Sequence, residues 1–355
     1  MSDVSRRQLL AGAALAGAAC VLGSRGMPTA RAAVQPSGAQ APGFYRYKVG
    51  DYECTSINDG ARSFPMPDKF VTNVAKDEAL AAADAAYMPK GMVTVPFNPQ
   101  LINTGSKLIL IDTGNGVGNL EPSKGAVGRT LQNLAAAGVE AKSIDIVILS
   151  HLHPDHTNGI RAADGGLAFP NAEIIVPAKD WEFWTSDENA AKAQSSEMMK
   201  NYFANVKKTF AGLETKVARY DWDKEVVPGI TSIATPGHTP GHTSFAVTSG
   251  SAKVLIQSDV TNIPELFLRN PDWHVAFDVD GDLAQQTRHK FYDMAAAERA
   301  TVIGFHFIFP SIGHVEKDGS KYRLIPSAWI RRSELYHFRD RSRPTLCGHR
   351  LAELT

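Results

Sequence analysis

The sequence predicts an α/β fold with helices packed outside buried sheet, and three observations carry that expectation. Short runs of apolar, often β-branched residues recur at 107–111, 144–149, 174–176, 254–256 and 301–303, too continuous to leave one face in water. Stretches with apolar residues at helical spacing lie between them. Polar residues able to bind metals stand just beyond several of the runs, where layered α/β proteins gather functional groups.

Taken in order, the chain opens with Arg6-Arg7 ahead of an apolar stretch at 9–23. A membrane-spanning helix needs about 20 apolar residues, so this stretch is short for one, and Ala30-Arg31-Ala32 offers a small-residue cleavage site. Residues 1–32 therefore read as a twin-arginine-type signal peptide, and the protein is expected to be exported to the periplasm or beyond. Residues 33–43, rich in Ala, Pro, Gly and Gln, read as a flexible leader. A strand-like mix fills 44–57 and ends at the turn signal Asn58-Asp59-Gly60.

Helices are expected at 126–137, with Val127, Leu131 and Leu134 on one stripe and Gly138 as the stop. Others are expected at 178–185, at 198–210 and at 283–297, the last with Leu283, Thr287, Phe291 and Met294 as its buried stripe. No linker-like break divides 44–330, which reads as one catalytic domain. An Arg-rich tail at 331–355, six Arg against three acids, reads as a solvated extension.

Lys plus Arg and Asp plus Glu both number 37, so the formal net charge is zero and the basic excess expected of a nucleic-acid binder is missing. The expected partner is a small, uncharged, partly apolar substrate, with no nucleic acid and no membrane span; a homodimer is compatible with the sequence. After processing only Cys54 and Cys347 remain, too far apart in sequence to suggest a disulfide framework or a zinc site.

Function is written most densely in Ser150-His151-Leu152-His153-Pro154-Asp155-His156. In extended backbone His151 and His153 project to the same side, and Pro154 then turns the chain to bring in Asp155 and His156. Four potential ligands in six residues, directly after a buried strand, are hard to assign to packing. Three more follow strand-like runs in the same manner: His238 in Pro236-Gly237-His238, Asp259 after Ser258, and His306 after Phe305. His242 lies close enough to His238 to compete for the same role. Gly114-Asn115-Gly116-Val117-Gly118 departs from the dinucleotide fingerprint, because Asn119 stands where the third Gly belongs. Asp278-Val279-Asp280-Gly281-Asp282 has its Gly misplaced for a calcium loop and His289 at the twelfth position, and reads as a solvated turn.

This order, His-x-His-x-Asp-His, a Gly-His turn, an Asp and a late His, resembles the binuclear metallo-β-lactamase superfamily, as does Leu110-Ile111-Asp112-Thr113-Gly114 ahead of it. Within that superfamily the chain is similar to methyl parathion hydrolase and lactonase-like enzymes. The similarity rests on Asn103-Thr104-Gly105-Ser106-Lys107-Leu108, on Gly237-His238-Thr239-Pro240-Gly241-His242-Thr243 and on Phe309-Pro310-Ser311-Ile312-Gly313-His314. The resemblance implies a metallo-β-lactamase-like αββα sandwich, two mixed sheets face to face with helices outside. It places His151, His153 and His238 on one divalent ion and Asp155, His156 and His306 on another, with Asp259 bridging. Imidazole and carboxylate donors suit Zn²⁺, with Mn, Fe or Co as alternatives. Asp112 would orient a ligand or its loop.

The expected reaction is hydrolysis of a lactone or ester, of acyl-homoserine lactone or aryl ester type, by a hydroxide bridging the two ions. Asp155 and Asp259 are the expected catalytic carboxylates, the former moving a proton to the leaving group. Trp181 and Phe307 are the expected pocket walls. An organophosphate triester is the alternative substrate, and a metal-binding scaffold without catalysis the alternative class. Asp259 argues against β-lactam hydrolysis, because β-lactamases with this His-rich motif usually lack it.

Overall fold

The chain lays down two seven-stranded sheets one after the other, the first complete before the second begins. The computed structural model describes Gly38 and residues 40–330; the expected signal segment at 1–32 and the Arg-rich tail at 331–355 lie outside these residues. The first sheet uses β1 (Phe44–Val49), β2 (Tyr52–Ile57), β5 (Gln100–Asn103), β6 (Leu108–Ile111), β7 (Ile146–Ile148), β8 (Glu173–Pro177) and β9 (Ala218–Tyr220), adjacent in that order. The second runs in sequence order through β10 (Glu225–Val227), β11 (Ile230–Ala234), β12 (Thr243–Ser249), β13 (Ala252–Ser258), β14 (Thr301–Gly304), β15 (Ile312–Asp318) and β16 (Lys321–Pro326). A separate hairpin pairs β3 (Gly60–Pro65) with β4 (Met92–Phe97).

The helices, in chain order, are α1 (Lys76–Ala85), α2 (Thr130–Ala136), α3 (Pro154–Thr157), α4 (Ala178–Thr185), α5 (Asp187–Lys192), α6 (Glu197–Thr209), α7 (Pro264–Phe267) and α8 (Gly281–Ala297). Among the described residues no helix is long and apolar enough to cross a membrane.

Alternation along the strands shows how the layers stack. Ile109, Ile111, Ile146, Ile148 and Ile175 of the first sheet share a buried cluster with Ile230, Phe245, Val254, Ile256 and Ile303 of the second. Their neighbours Leu110, Val147, Ile174 and Val176 face the other way, toward Leu134 of α2, Trp184 of α4 and Val206 of α6. On the far side Leu255 and Val302 meet Phe291, Tyr292 and Ala295 of α8. The result is the helix–sheet–sheet–helix sandwich. Burying one such aliphatic side chain contributes about 1.5–3 kcal/mol, so the apolar runs hold the layers together.

Three local expectations are corrected. Residues 44–57 form two strands, turned at Gly50-Asp51, with Gly50 at φ +57. Sequence alone merged them because both halves are rich in aromatic and β-branched residues. The buried stripe of α8 is Ala284, Arg288, Phe291, Tyr292 and Ala295; it keeps the expected Phe291, otherwise lies one position along from Leu283, Thr287 and Met294, and includes a charged residue. The helix expected at 126–137 begins only at Thr130, while Val127 is buried in the loop before it.

The parallel pairs β6–β7 and β13–β14 set up the site by ending their strands side by side. An irregularity between Ile256 and Ser258 inserts an extra residue opposite β14, and Ser258 takes φ +52. Such a bulge bends its strand and re-aims the following side chain, which here is Asp259.

Candidate metal centre

All seven expected ligand residues converge where β7, β11, β13 and β14 end. Their donor atoms fall into overlapping sets, His151 with His153 and His238, and Asp155 with His156 and His306, the atoms of each set lying within 4.8 Å of one another. A third set, His151, His156 and Asp259, joins these two. Asp259 Oδ2 lies 3.3 Å from His238 Nε2 and 2.8 Å from His306 Nε2, and Oδ1 lies 3.4 Å from His156 Nε2. One carboxylate therefore faces both groups.

The rings are turned by bonds on their outer nitrogens. His151 Nδ1 is 3.0 Å from the Ser150 hydroxyl, His156 Nδ1 is 2.9 Å from Asp112 Oδ2, His238 Nδ1 is 2.8 Å from Asp278 Oδ1, and His306 Nδ1 is 2.8 Å from the Pro96 carbonyl. Each of these oxygens can accept the Nδ1 proton, which leaves Nε2 aimed inward with a lone pair. His153 is reversed, with Nδ1 2.9 Å from His238 Nε2.

Metal ions fit this donor set on two observations. His151 Nε2, His156 Nε2 and Asp259 Oδ1 are buried yet make no hydrogen bond, a costly state for polar atoms with no other purpose. Ligand atoms about 2.0–2.2 Å from one ion stand roughly 3–4 Å apart, and Asp155 Oδ2 is 3.6 Å from His156 Nε2 and 3.5 Å from His306 Nε2.

Charge in the cluster is strongly patterned. Burial, reinforced by His156, holds His151 well below the usual imidazole range, and burial with His238 does the same to His153. Burial also opposes the charging of His156, but Asp259, Asp112 and Asp155 outweigh it and raise its pKa well above normal. Asp259 is buried too, yet His306 and His156 pull its carboxyl well below the ordinary range. His242 settles the ambiguity with His238 by geometry. Its Nδ1 is 2.8 Å from the Thr235 carbonyl, and its Nε2 accepts the Asp259 backbone N–H at 3.0 Å. Both nitrogens are spent, and burial together with His238 pushes its pKa down to about 3, so it is a neutral prop for the Asp259 turn.

Asp112 stands directly after β6 at φ +60, an uncommon conformation for a residue with a side chain. Its carboxylate accepts the Ser150 N–H and the Ser150 hydroxyl, both at 2.8 Å, as well as facing His156. Three bonds over-determine the strained turn, and through them Asp112 orients the His151–His156 loop.

Three residues near the centre were not singled out from sequence. Asp180 of α4 is fully buried and accepts the Leu152 N–H at 2.8 Å, the Gly241 N–H at 2.7 Å and the Trp184 indole N–H at 3.2 Å, joining the two loops that carry His151, His153 and His238. An amide in its place would point an NH₂ at one or more of these donors. Asp180→Asn is expected to lose about 1–3 kcal/mol of stability and to loosen both loops. A thermal melt and metal content matching wild type would show that the clamp is idle. Tyr202 of α6 stacks against His153 with ring centroids 4.5 Å apart, and burial, then Asp155 and Asp259, raise its phenol pKa. Asp278, read as part of a solvated turn, instead turns its side chain, 2% exposed, against His238.

The structure places both expected pocket walls in buried clusters. Trp181 belongs to the core between the first sheet and its helices, edge-on to Phe210 at 5.2 Å. Phe307 is fully buried in the cluster with Tyr292, its ring folded back over Gly304. The aromatic rings that do stand against the centre are Phe97 beside His306 (5.4 Å), Trp184 beside His153 (5.6 Å), Phe305 beside His156 (3.9 Å) and Tyr202. Trp181 and Trp184 lie one turn apart on α4, and only packing decides which approaches the histidines.

Comparison with known proteins agrees with this architecture. The profile described as metallo-beta-lactamase superfamily matches residues 98–306. An N-acyl homoserine lactonase from Bacillus sp is 29% identical over 244 residues, 64% of this chain and 88% of its own length. Another, from Bacillus thuringiensis, is 30% identical over 203 residues, 53% of this chain and 72% of its own. Among solved structures, hydrolase AbOPH in the beta lactamase superfamily superposes with a TM-score of 0.74 at 28% identity, covering 82% of this chain and 100% of that one. The dizinc quorum-quenching lactonase AidC, in complex with N-hexanoyl-L-homoserine, gives 0.72 at 26% identity, covering 81% and 98%. The order of the strands, the convergence of the His and Asp donors at their ends and the match over residues 98–306 place this chain in the metallo-beta-lactamase superfamily.

Proposed function

We propose that this metal-dependent hydrolase opens the ester bond of a lactone ring, of the acyl-homoserine type, at a pair of Zn²⁺ ions. The carrying observation is Asp259, whose carboxylate faces both donor sets at once. Relatives and a structural neighbour named as lactonases support the choice of substrate. When bound, two divalent ions supply Lewis acidity, lowering the pKa of water and polarising a carbonyl oxygen.

The chain's own residues do the rest. His151, His153 and His238 would hold one ion, Asp155, His156 and His306 the other, and Asp259 would be shared. Asp155 has the most exposed side chain of the seven, at 24%, so it marks the mouth of the site. There its carboxylate would take the proton released by the attacking water and pass it to the departing alkoxide. Phe97, Trp184 and Tyr202 offer apolar surface beside the ligands, which suits an uncharged substrate with an apolar portion.

A panel on zinc-loaded protein tests the reading through kcat/KM for acyl-homoserine lactones, aryl esters and phosphotriesters. Lactones should exceed phosphotriesters by on the order of 10²-fold, the discrimination a shaped pocket commonly supplies. Phosphotriesters equal to or better than lactones would overturn the substrate. Zinc-loaded protein that hydrolyses none of the three would overturn the hydrolase reading itself.

A further inference from the structure

The segment before α8 holds the His238 turn by three contacts. Asp278 Oδ1 is 2.8 Å from His238 Nδ1, the Val279 N–H donates to the His238 carbonyl at 3.0 Å, and the Asp280 N–H donates to the Gly237 carbonyl at 2.9 Å. The backbone pair alone would fix the turn, so the carboxylate needs a separate reason. It is costly to keep there. The Asp278 side chain is 2% exposed, and its Oδ2 makes no hydrogen bond. A buried carboxylate left half unsatisfied is unfavourable unless its charge is used nearby.

The cation that faces it is equally buried and already engaged. Arg288 of α8 donates through Nε to the Val260 carbonyl and through Nη1 to the Pro271 and Trp273 carbonyls, leaving Nη2 3.7 Å from Asp278 Oδ2. Neutralisation at that distance is looser than in a two-point carboxylate–guanidinium fork. Arg288 anchors the loop that follows Asp259, while Asp278 holds His238, so the pair spans two of the three ligand-bearing turns of the second sheet.

We propose that Asp278 is a positioning residue for the centre. It keeps the His238 proton on Nδ1, so that Nε2 presents its lone pair inward, and its charge strengthens that nitrogen as a donor. Arg288 keeps the buried charge tolerable and ties it to the Asp259 loop. The proposal rests on the metal-site reading above. A carboxylate behind a ligating imidazole commonly alters metal affinity by about 10–100-fold.

Asp278→Asn separates the two functions, because the amide oxygen can still accept from Nδ1 while the charge is gone. Asp278→Ala removes both. Zn²⁺ affinity is read by chelator competition with metal analysis, and ligand geometry by the visible absorption of the Co²⁺-substituted protein. The expected order of affinity for the more weakly held ion is wild type, then Asn, then Ala, with Asn about 10-fold or more below wild type. The cobalt spectrum should shift in both variants, while the melting temperature of metal-free Asp278→Asn stays at or above that of metal-free wild type. Unchanged affinity and cobalt spectrum in Asp278→Asn would overturn the proposal, and a melting temperature reduced without either change would mark Asp278 as structural only. If Asp278→Ala fails to fold, Asp278→Asn decides alone. Wild-type protein that binds no Zn²⁺ would instead overturn the metal-site reading, an outcome distinct from any change confined to the variants.

Discussion

Asp259→Asn is expected to lower kcat/KM by on the order of 10³-fold, about 4 kcal/mol of barrier, and to reduce bound metal below two per chain. The substitution preserves volume but removes the one carboxylate, among the described residues, that faces both donor sets. It also leaves an amide NH₂ among inward-facing imidazole nitrogens, or its oxygen in place of a shared anion. Either way one ion loses a strong ligand and the spacing between the two is no longer enforced. Metal analysis after dialysis, alongside kcat/KM on the best lactone, checks it. Two tightly held ions with activity within ten-fold of wild type would remove Asp259 from the centre of the scheme. His242→Gln is the natural companion, because it disturbs the prop behind the Asp259 N–H, with its anchor on the Thr235 carbonyl, and leaves the Asp259 carboxylate in place.

Gly237→Ala should produce a large loss of stability. Gly237 has φ +127, in a region that side chains rarely occupy, and a Cβ there would stand 2.2 Å from the Ala284 backbone nitrogen. Both elements would have to move, since the close partner is helix backbone. Overpacking of this kind with backbone strain costs about 3–5 kcal/mol, roughly a 10 °C fall in melting temperature for a domain of this size. His238 is the next residue, so the displaced turn should also weaken metal binding. Circular-dichroism melts and metal content on the purified variant measure both effects, and a melt within 2–3 °C of wild type, about 1 kcal/mol, would show that the contact largely relaxes.

How much of this was legible in the sequence follows from what local pattern can encode. The buried strands were readable because Ile109, Leu110 and Ile111 are apolar on both faces, and they do point into two different cores. The seven His and Asp residues that cluster were readable as a set because each stands just past such a run or in the turn that follows it, and Asp112 stands in the same kind of place. Asp278 and Asp180 were not. Asp278 sits among Asp280 and Asp282 in what looks like a hydrated turn, and only the packing of α8 against Gly237 turns it inward. Asp180 lies on a helix beside aromatics, and nothing in its neighbours announces two partners 28 and 61 residues away. Arg288 was hidden for the same reason. A charged residue on a buried stripe is legible only when the backbone carbonyls that receive it are in place.

The two sheets occupy consecutive halves of the chain, the first ending at Tyr220 and the second starting at Glu225. His151, His153, Asp155 and His156 come from one half, and His238, Asp259 and His306 from the other, so each of the three donor sets draws on both. A chain severed at 221–224 would give two pieces, each owning a whole sheet and neither owning a complete set of donors. Reunion of the pieces would then respond to the supply of the ion, and the centre would work as a clasp as well as a catalyst.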